Sequence, residues 1–338
     1  MTIAKKGESA VLEKIARHFA HPTSPFARSV RVGIGDDAAI LAPRVGYETI
    51  LTCDWFLEGT HFLRDRHPAD SVGWKCLARA VSDVAAMGGV PRCFLLSLAL
   101  PETHAGRWMD QFLGGLRRAA RQFRCGLAGG DTTQQPEILI NVTVVGEVRR
   151  NRAMLRSGAR PGDVLYVSGR LGEAELGLRL LRSGNGLVHK KDRRLRKHLY
   201  PEPRLALGRW LAQKRLATAM MDLSDGLSSD LPWLCQASGV GARIEVAGLP
   251  LIRVSAEDRN RGISPVQLAL HGGDDYELLF AVPRNKAKLI PRSFQGVPLT
   301  VIGQITRGAE ILLKKQSGGE SVLKPGGWDS FLRSIKKD

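Results

Sequence analysis

The chain has 338 residues, 43% of them hydrophobic and 25% charged, with a formal net charge of +17. That length and balance suit two globular domains with sizeable cores and exclude a disordered or collagen-like chain. The longest apolar run, CFLLSLAL (93–100), is too short to cross a bilayer, and the five cysteines form no CxxC pair. Neither a membrane span nor a disulfide scaffold is expected, and the thiols read as reduced in a cytoplasmic protein.

In chain order, Val11, Leu12, Ile15, Ala16 and Phe19 predict an amphipathic helix where a signal segment would need a long apolar run. ETILTCDWF (48–56) reads as a strand leading to a loop, and SVGWKCLARAVSDVAAMGG (71–89) as a helix ended by Gly88-Gly89. CFLLSLALP (93–101) is a strand closed by proline, and Thr103 is expected to cap a helix reaching to about Arg124. CGLAGGD (125–131) predicts a short strand entering a glycine turn, and EILINVTVVGEV (137–148) a further strand. The basic, loop-like RRNRAMLRSGARPGD (149–163) is the expected boundary between domains at 1–150 and 151–338.

Beyond it come the strand VLYVSG (164–169) and a helix carrying Leu171, Leu176, Leu178 and Leu181. Further helices are expected at about 202–216 and 227–238, with strands ARIEV (242–246), YELLFAV (276–282) and PLTVIGQI (298–305). The alternation predicts α/β (α+β layered) architecture. The densest basic run, HKKDRRLRKH (189–198), reads as a solvated face; it lacks the interleaved aromatics of a nucleic-acid platform, so nucleic acid is disfavoured as a partner.

Aspartates recur among small residues at element ends: GIGDDAAIL (33–41), CD (53–54), SD (82–83), GGD (129–131), DLSDG (222–226) and GGDD (272–275). Singly, each reads as an N-cap or a turn. Asp83 differs, because it interrupts an apolar-periodic helix between Val81 and Val84, where a charge needs a partner. Carboxylates brought to one point repel, and hard divalent cations relieve that; with no HExxH and no Cys/His cluster, Mg²⁺ fits better than zinc. The chain has no GxxxxGK[ST] and no kinase-type catalytic loop, and GIGDDA lacks the third glycine of a dinucleotide fingerprint.

The ordered set GIGDDAAIL, DWFLEGTHF (54–62), SDVAAMGGVPR (82–92), GGDTT (129–133), RSGARPGD (156–163), DLSDGLSSDL (222–231) and GGDDYELLF (272–280) resembles the thiamine-monophosphate kinases. Their wider superfamily includes aminoimidazole-ribonucleotide synthetase. The resemblance implies a two-domain fold of that synthetase type, with an N-terminal mixed sheet used for dimerisation and a C-terminal α/β domain. It implies a homodimer, and ATP-dependent phosphorylation of thiamine monophosphate to thiamine diphosphate. By motif match, Asp37, Asp54, Asp83, Asp131, Asp222 and Asp225 would hold Mg²⁺, with Thr52 or Cys53 adding an oxygen. Gly130, Asp131, Arg156 and Ser224 would contact ATP, and His61, Asp274 and Trp328 would line the thiamine phosphate site. No general base is implied; Asp83, Asp225 and Arg156 would matter most.

The chain departs from the family pattern at four places. Asp274 stands where a Glu is expected, Cys53 where a Thr is expected, and Gln134 where an Arg is expected; Leu113 or Gly114 replaces a tyrosine. Two other readings remain: a related ATP-dependent enzyme with a different small acceptor, and a basic non-catalytic nucleic-acid-binding protein.

Overall fold

The computed structural model describes residues 8–19, 30–34, 38–183, 192–315 and 317–331. Among them the chain divides into two compact units. One runs to Ala153 and takes back Leu199–Arg209; the other holds 154–183, 192–198 and the rest from Trp210.

The first unit opens with helix α1 (Glu8–Phe19) and a short ladder of β1 (Val30–Val32) and β2 (Ile40–Leu41). Strand β3 (Tyr47–Leu57), helix α2 (Ala69–Ala86), strand β4 (Val90–Leu100), helix α3 (Arg107–Phe123) and strands β5 (Gly126–Gln134) and β6 (Leu139–Arg149) follow. The four long strands form a mixed sheet in the order β3-β6-β4-β5, with β4 and β5 parallel. Alternation dictates its faces. Phe94, Leu96 and Leu98 of β4 and Ile140, Val142 and Val144 of β6 join α2 and α3 in one buried core, while Leu95 and Ser97 point the other way and are exposed. The two helices approach backbone to backbone. A Cβ on Gly73 would stand 2.0 Å from the Phe112 carbonyl oxygen, and one on Gly115 would stand 1.8 Å from that of Asp70.

Two expectations fail here. Thr103 caps nothing: it lies in a 3₁₀ turn (Glu102–His104), and α3 starts after Gly106 without a side-chain cap. GGDTT is no turn either, since β5 runs straight through it, paired along β4 from Cys93 to Leu100. The glycines serve close approach, for a Cβ on Gly130 would meet the Leu96 carbonyl oxygen at 1.9 Å.

The second unit contains β7 (Val164–Ser168), α4 (Glu173–Ser183), α5 (Arg196–Leu199) up to His198, and α6 (Leu205–Lys214) from Trp210. It continues with β8 (Ala219–Leu223), α7 (Leu227–Ser238), β9 (Gly241–Glu245), α8 (Ala256–Asn260) and α9 (Pro265–His271). Strands β10 (Glu277–Val282), β11 (Ser293–Phe294), β12 (Val297–Thr306), β13 (Ile311–Lys314) and β14 (Glu320–Val322) complete it. Its sheet runs β14-β13-β9-β12-β7-β10-β8, with β11 beside β12. Strand β10, flanked by β7 and β8, is buried at every position, which is why ELLFAV carries no polar alternation. Among the described residues no helix is long and apolar enough to cross a membrane.

Candidate active site

In the first unit, β3 presents neighbouring residues to opposite faces. Thr52 and Asp54 turn toward α2. The Thr52 hydroxyl donates to the Asp83 carboxylate, which answers the need for a partner inside that helix. Arg79, one turn earlier on α2, stands 3.5 Å from the Asp54 carboxylate. Cys53 faces away, where the Asn141 amide meets its sulfur at 3.2 Å. Gly130 and Asp131 line a cleft of about 1160 Å³ together with Ser97, Thr143 and part of α1. The exposed Asp131 accepts from the Thr132 N–H at 2.9 Å. The structure therefore joins Thr52 with Asp83, and sets Cys53 on the other face of the strand. Asp37 lies outside the described residues.

His61 sits just after β3. Its backbone N–H donates to the Leu57 carbonyl at 2.8 Å, and its Nδ1 accepts from the Leu57 N–H at 3.0 Å. That bond leaves the ring proton on Nε2. Of the two residues that could stand for the expected tyrosine, Leu113 is buried in the core and Gly114 opens to space.

In the second unit three motifs converge. Asp222 is the next-to-last residue of the buried strand β8, and Ser224, Asp225 and Gly226 make the turn into α7. The Asp274 N–H donates to the Ser224 carbonyl at 2.7 Å, and the Trp328 N–H donates to the Asp225 carbonyl at 2.9 Å. Asp222, Ser224, Asp225, Asp274 and Trp328 are thus carried on adjoining backbone. Arg156 is exposed on a loop whose Arg156 carbonyl and Ala159 N–H are both tied to the Ser238 hydroxyl, at 2.9 and 3.2 Å.

Sequence reasoning missed three groups. Asp230 is 2% exposed and accepts from the Asp225 and Gly226 N–H groups at 3.0 Å each. Burial first, then the nearby Asp225 and Asp222 charges, push its carboxyl well above the usual range. Asp275 accepts from Gly172 and Ala174 N–H groups at 2.5 and 3.1 Å, holding the start of α4. Lys197, read as part of a solvated basic face, pairs instead with Glu277, which is 1% exposed. Of the same run, Arg194 and Asp192 pair at 2.7 Å, and residues 189–191 lie outside the described set.

Among the described residues, no group of three or more His, Cys, Asp or Glu side chains is arranged to hold a metal ion. The donors present are nonetheless of one chemical kind, hard carboxylate and hydroxyl oxygens. Beyond the burial that chiefly raises Asp230, the Asp225 and Asp222 charges add repulsion of the kind a divalent cation relieves. In kind, these residues fit Mg²⁺.

Residues 35–148 match the AIR synthase related protein N-terminal domain, and residues 160–314 match its C-terminal domain. The two matches cover both mixed α/β units, which are thus those of an AIR synthase related protein. The chain is 38% identical over 324 residues to the thiamine-monophosphate kinase of Escherichia coli strain K12, spanning 94% of this chain and 97% of that one. With this likeness it belongs to the thiamine-monophosphate kinase family. The crystal structure of the kinase from Stenotrophomonas maltophilia K279a matches with a TM-score of 0.77 at 33% identity, covering 91% of this chain and 96% of that one. AaThiL complexed with AMPPCP and TMP matches with a TM-score of 0.73 at 33% identity, covering 98% and 99%.

Proposed function

We propose that this chain transfers the terminal phosphoryl group of ATP to thiamine monophosphate, giving thiamine diphosphate and ADP. What carries the reading is the convergence of DLSDG, GGDD and Trp328 in a chain so similar to a relative that binds AMPPCP and TMP. The acceptor is a phosphate monoester with a second pKa of about 6, so it is largely ionised at neutral pH. A nucleophile already ionised needs no general base, and none is assigned.

The difficulty is bringing two polyanions together. Mg²⁺ ions held by Asp37, Asp54, Asp83, Asp131, Asp222 and Asp225, with an oxygen from Thr52 or Cys53, would neutralise that repulsion. The protein's own part is orientation. Thr52 fixes the Asp83 carboxylate and Arg79 steadies Asp54. Arg156 would offer a planar cationic fork to the ATP phosphates, and Gly130, Asp131 and Ser224 are assigned ATP contacts by motif match. His61 would offer its Nε2–H to thiamine monophosphate, and Asp274 and Trp328 are, by motif match, the second unit's contacts to the same substrate. The Asp274 carboxylate suits a cationic thiazolium ring.

The homodimer would form through the outer sheet face, where Leu51, Trp55 and Leu95 are 70%, 57% and 39% exposed. Five free thiols suit a reducing cytoplasm. The deciding experiment incubates the protein with ATP, Mg²⁺ and thiamine monophosphate and separates the products by chromatography. Thiamine diphosphate that disappears with EDTA is expected. ATP binding without that product would overturn the acceptor.

A further inference from the structure

The Asp225 peptide is gripped from both sides. Its N–H, with that of Gly226, donates to Oδ2 of the buried Asp230, one turn into α7. Its carbonyl accepts from the Trp328 N–H at 2.9 Å. The segment bearing Trp328 is itself tied down, since the Gly326 and Gly327 N–H groups donate to the Ser228 and Ser229 hydroxyls at 3.2 and 3.1 Å. It must pass bare at Gly327, where a Cβ would stand 2.0 Å from the Asp225 carbonyl oxygen.

A helix cap alone does not explain an acid here. Ser255 and Ser264 cap α8 and α9 with neutral hydroxyls. Asp230 instead stands inside the fold, near two further carboxylates that disfavour its charge. Its carboxylate oxygen reaches two successive N–H groups that a serine at the same place is too short to span.

We propose that Asp230 is a positioning residue which, working against the Trp328 strap, fixes the Asp225 peptide and so sets where the Asp225 carboxylate stands toward a divalent cation. This rests on the metal role assigned above to Asp225. Asp230 touches neither substrate nor metal; it acts through the backbone it holds.

The test uses the full chain and three variants: Asp230→Ala, Asp230→Asn and Gly327→Ala. Each is read by steady-state kinetics, by Mn²⁺ titration followed by electron paramagnetic resonance, and by thermal melting. Asp230→Ala should lose about 10- to 100-fold in kcat and in Mn²⁺ affinity. Asp230→Asn, whose amide oxygen still accepts both N–H groups, should recover most of each. Gly327→Ala, which crowds Asp225 from the other side, should repeat the loss with the acid intact. If Asp230→Ala fails to fold, the other two variants decide. Unchanged Mn²⁺ binding and turnover in Asp230→Ala or Gly327→Ala would overturn the proposal. An Asp230→Asn as damaged as Asp230→Ala would also overturn it, by showing that the charge itself is needed. Mn²⁺ binding keeps its meaning even if thiamine monophosphate proves the wrong acceptor.

Discussion

The Tyr276 hydroxyl donates to the Asp274 carboxylate at 2.7 Å, and both residues hold left-handed backbone, with φ of 49° and 66°. Such geometry costs about 1–3 kcal/mol per non-glycine residue where it occurs. Here it is held by the Asp274 and Tyr276 N–H groups, which donate to the Ser224 and Leu223 carbonyls at 2.7 and 2.9 Å. This backbone sets the Asp274 carboxylate, one methylene shorter than the glutamate that the resemblance predicts, beside the DLSDG turn.

Tyr276→Phe removes one hydrogen bond from Asp274 and leaves the ring packed. A lost bond to a charged group is worth about 1.5–3 kcal/mol, so KM for thiamine monophosphate should rise by roughly 10-fold or more with kcat less affected. Steady-state kinetics would check this. A fall in kcat at unchanged KM would contradict it.

Asp83→Asn should cost about 10²-fold or more in kcat, the scale of other lost electrostatic groups. Thr52→Val keeps the shape and deletes the donor to Asp83, so its loss should be smaller and in the same direction. Turnover numbers for both variants at saturating Mg²⁺ test the order. A normal Asp83→Asn would remove that carboxylate from the mechanism.

Asp275 titrates in a useful window. Burial pushes its carboxyl up to about 7, while Lys197 and the Gly172 and Ala174 N–H groups pull it down and Glu277 pushes it up. An unfolded aspartate titrates near about 3.9. The folded chain therefore holds the proton longer, and ionising Asp275 lowers stability as pH rises from about 4 to about 7, with the cost complete above that. In urea unfolding, the stability of the native chain relative to Asp275→Asn should fall between pH 5 and pH 8. Parallel profiles would refute the assignment.

Leu51→Glu with Trp55→Glu places two charges on the exposed face of the first sheet. If that face pairs two copies, light scattering should record a shift from dimer to monomer with the melting temperature little changed. A dimer that survives both charges uses another surface.

Local pattern reached far into this fold. The helix expected at 227–238 is Leu227–Ser238, and the apolar runs around Phe94, Val142 and Phe280 are strands as read. What failed was punctuation. Gly129-Gly130 looked like a turn because glycine is permissive, yet here it lets β5 pass close under Leu96. Thr103 had cap chemistry in the wrong turn. Asp83 was legible as a charge needing a partner, because it broke an apolar period. Asp230, Asp275 and the Lys197–Glu277 pair were not, because their partners lie on other elements or fold back from a helix whose polar residues look surface-facing. Only assembly reveals which acid turns inward.

The return of Leu199–Arg209 to the first unit has an evolutionary consequence. The Trp74 indole donates to the Pro201 carbonyl at 2.8 Å, and the Tyr200 hydroxyl donates to Asp70 at 3.0 Å. A recombination event that exchanged the gene after codon 153 would strip those groups from one ancestor's α2 and offer it the other's. A hybrid would keep these bonds only where the incoming 199–209 segment matches the resident α2, so a crossover at that boundary carries a stability cost of about 1–3 kcal/mol.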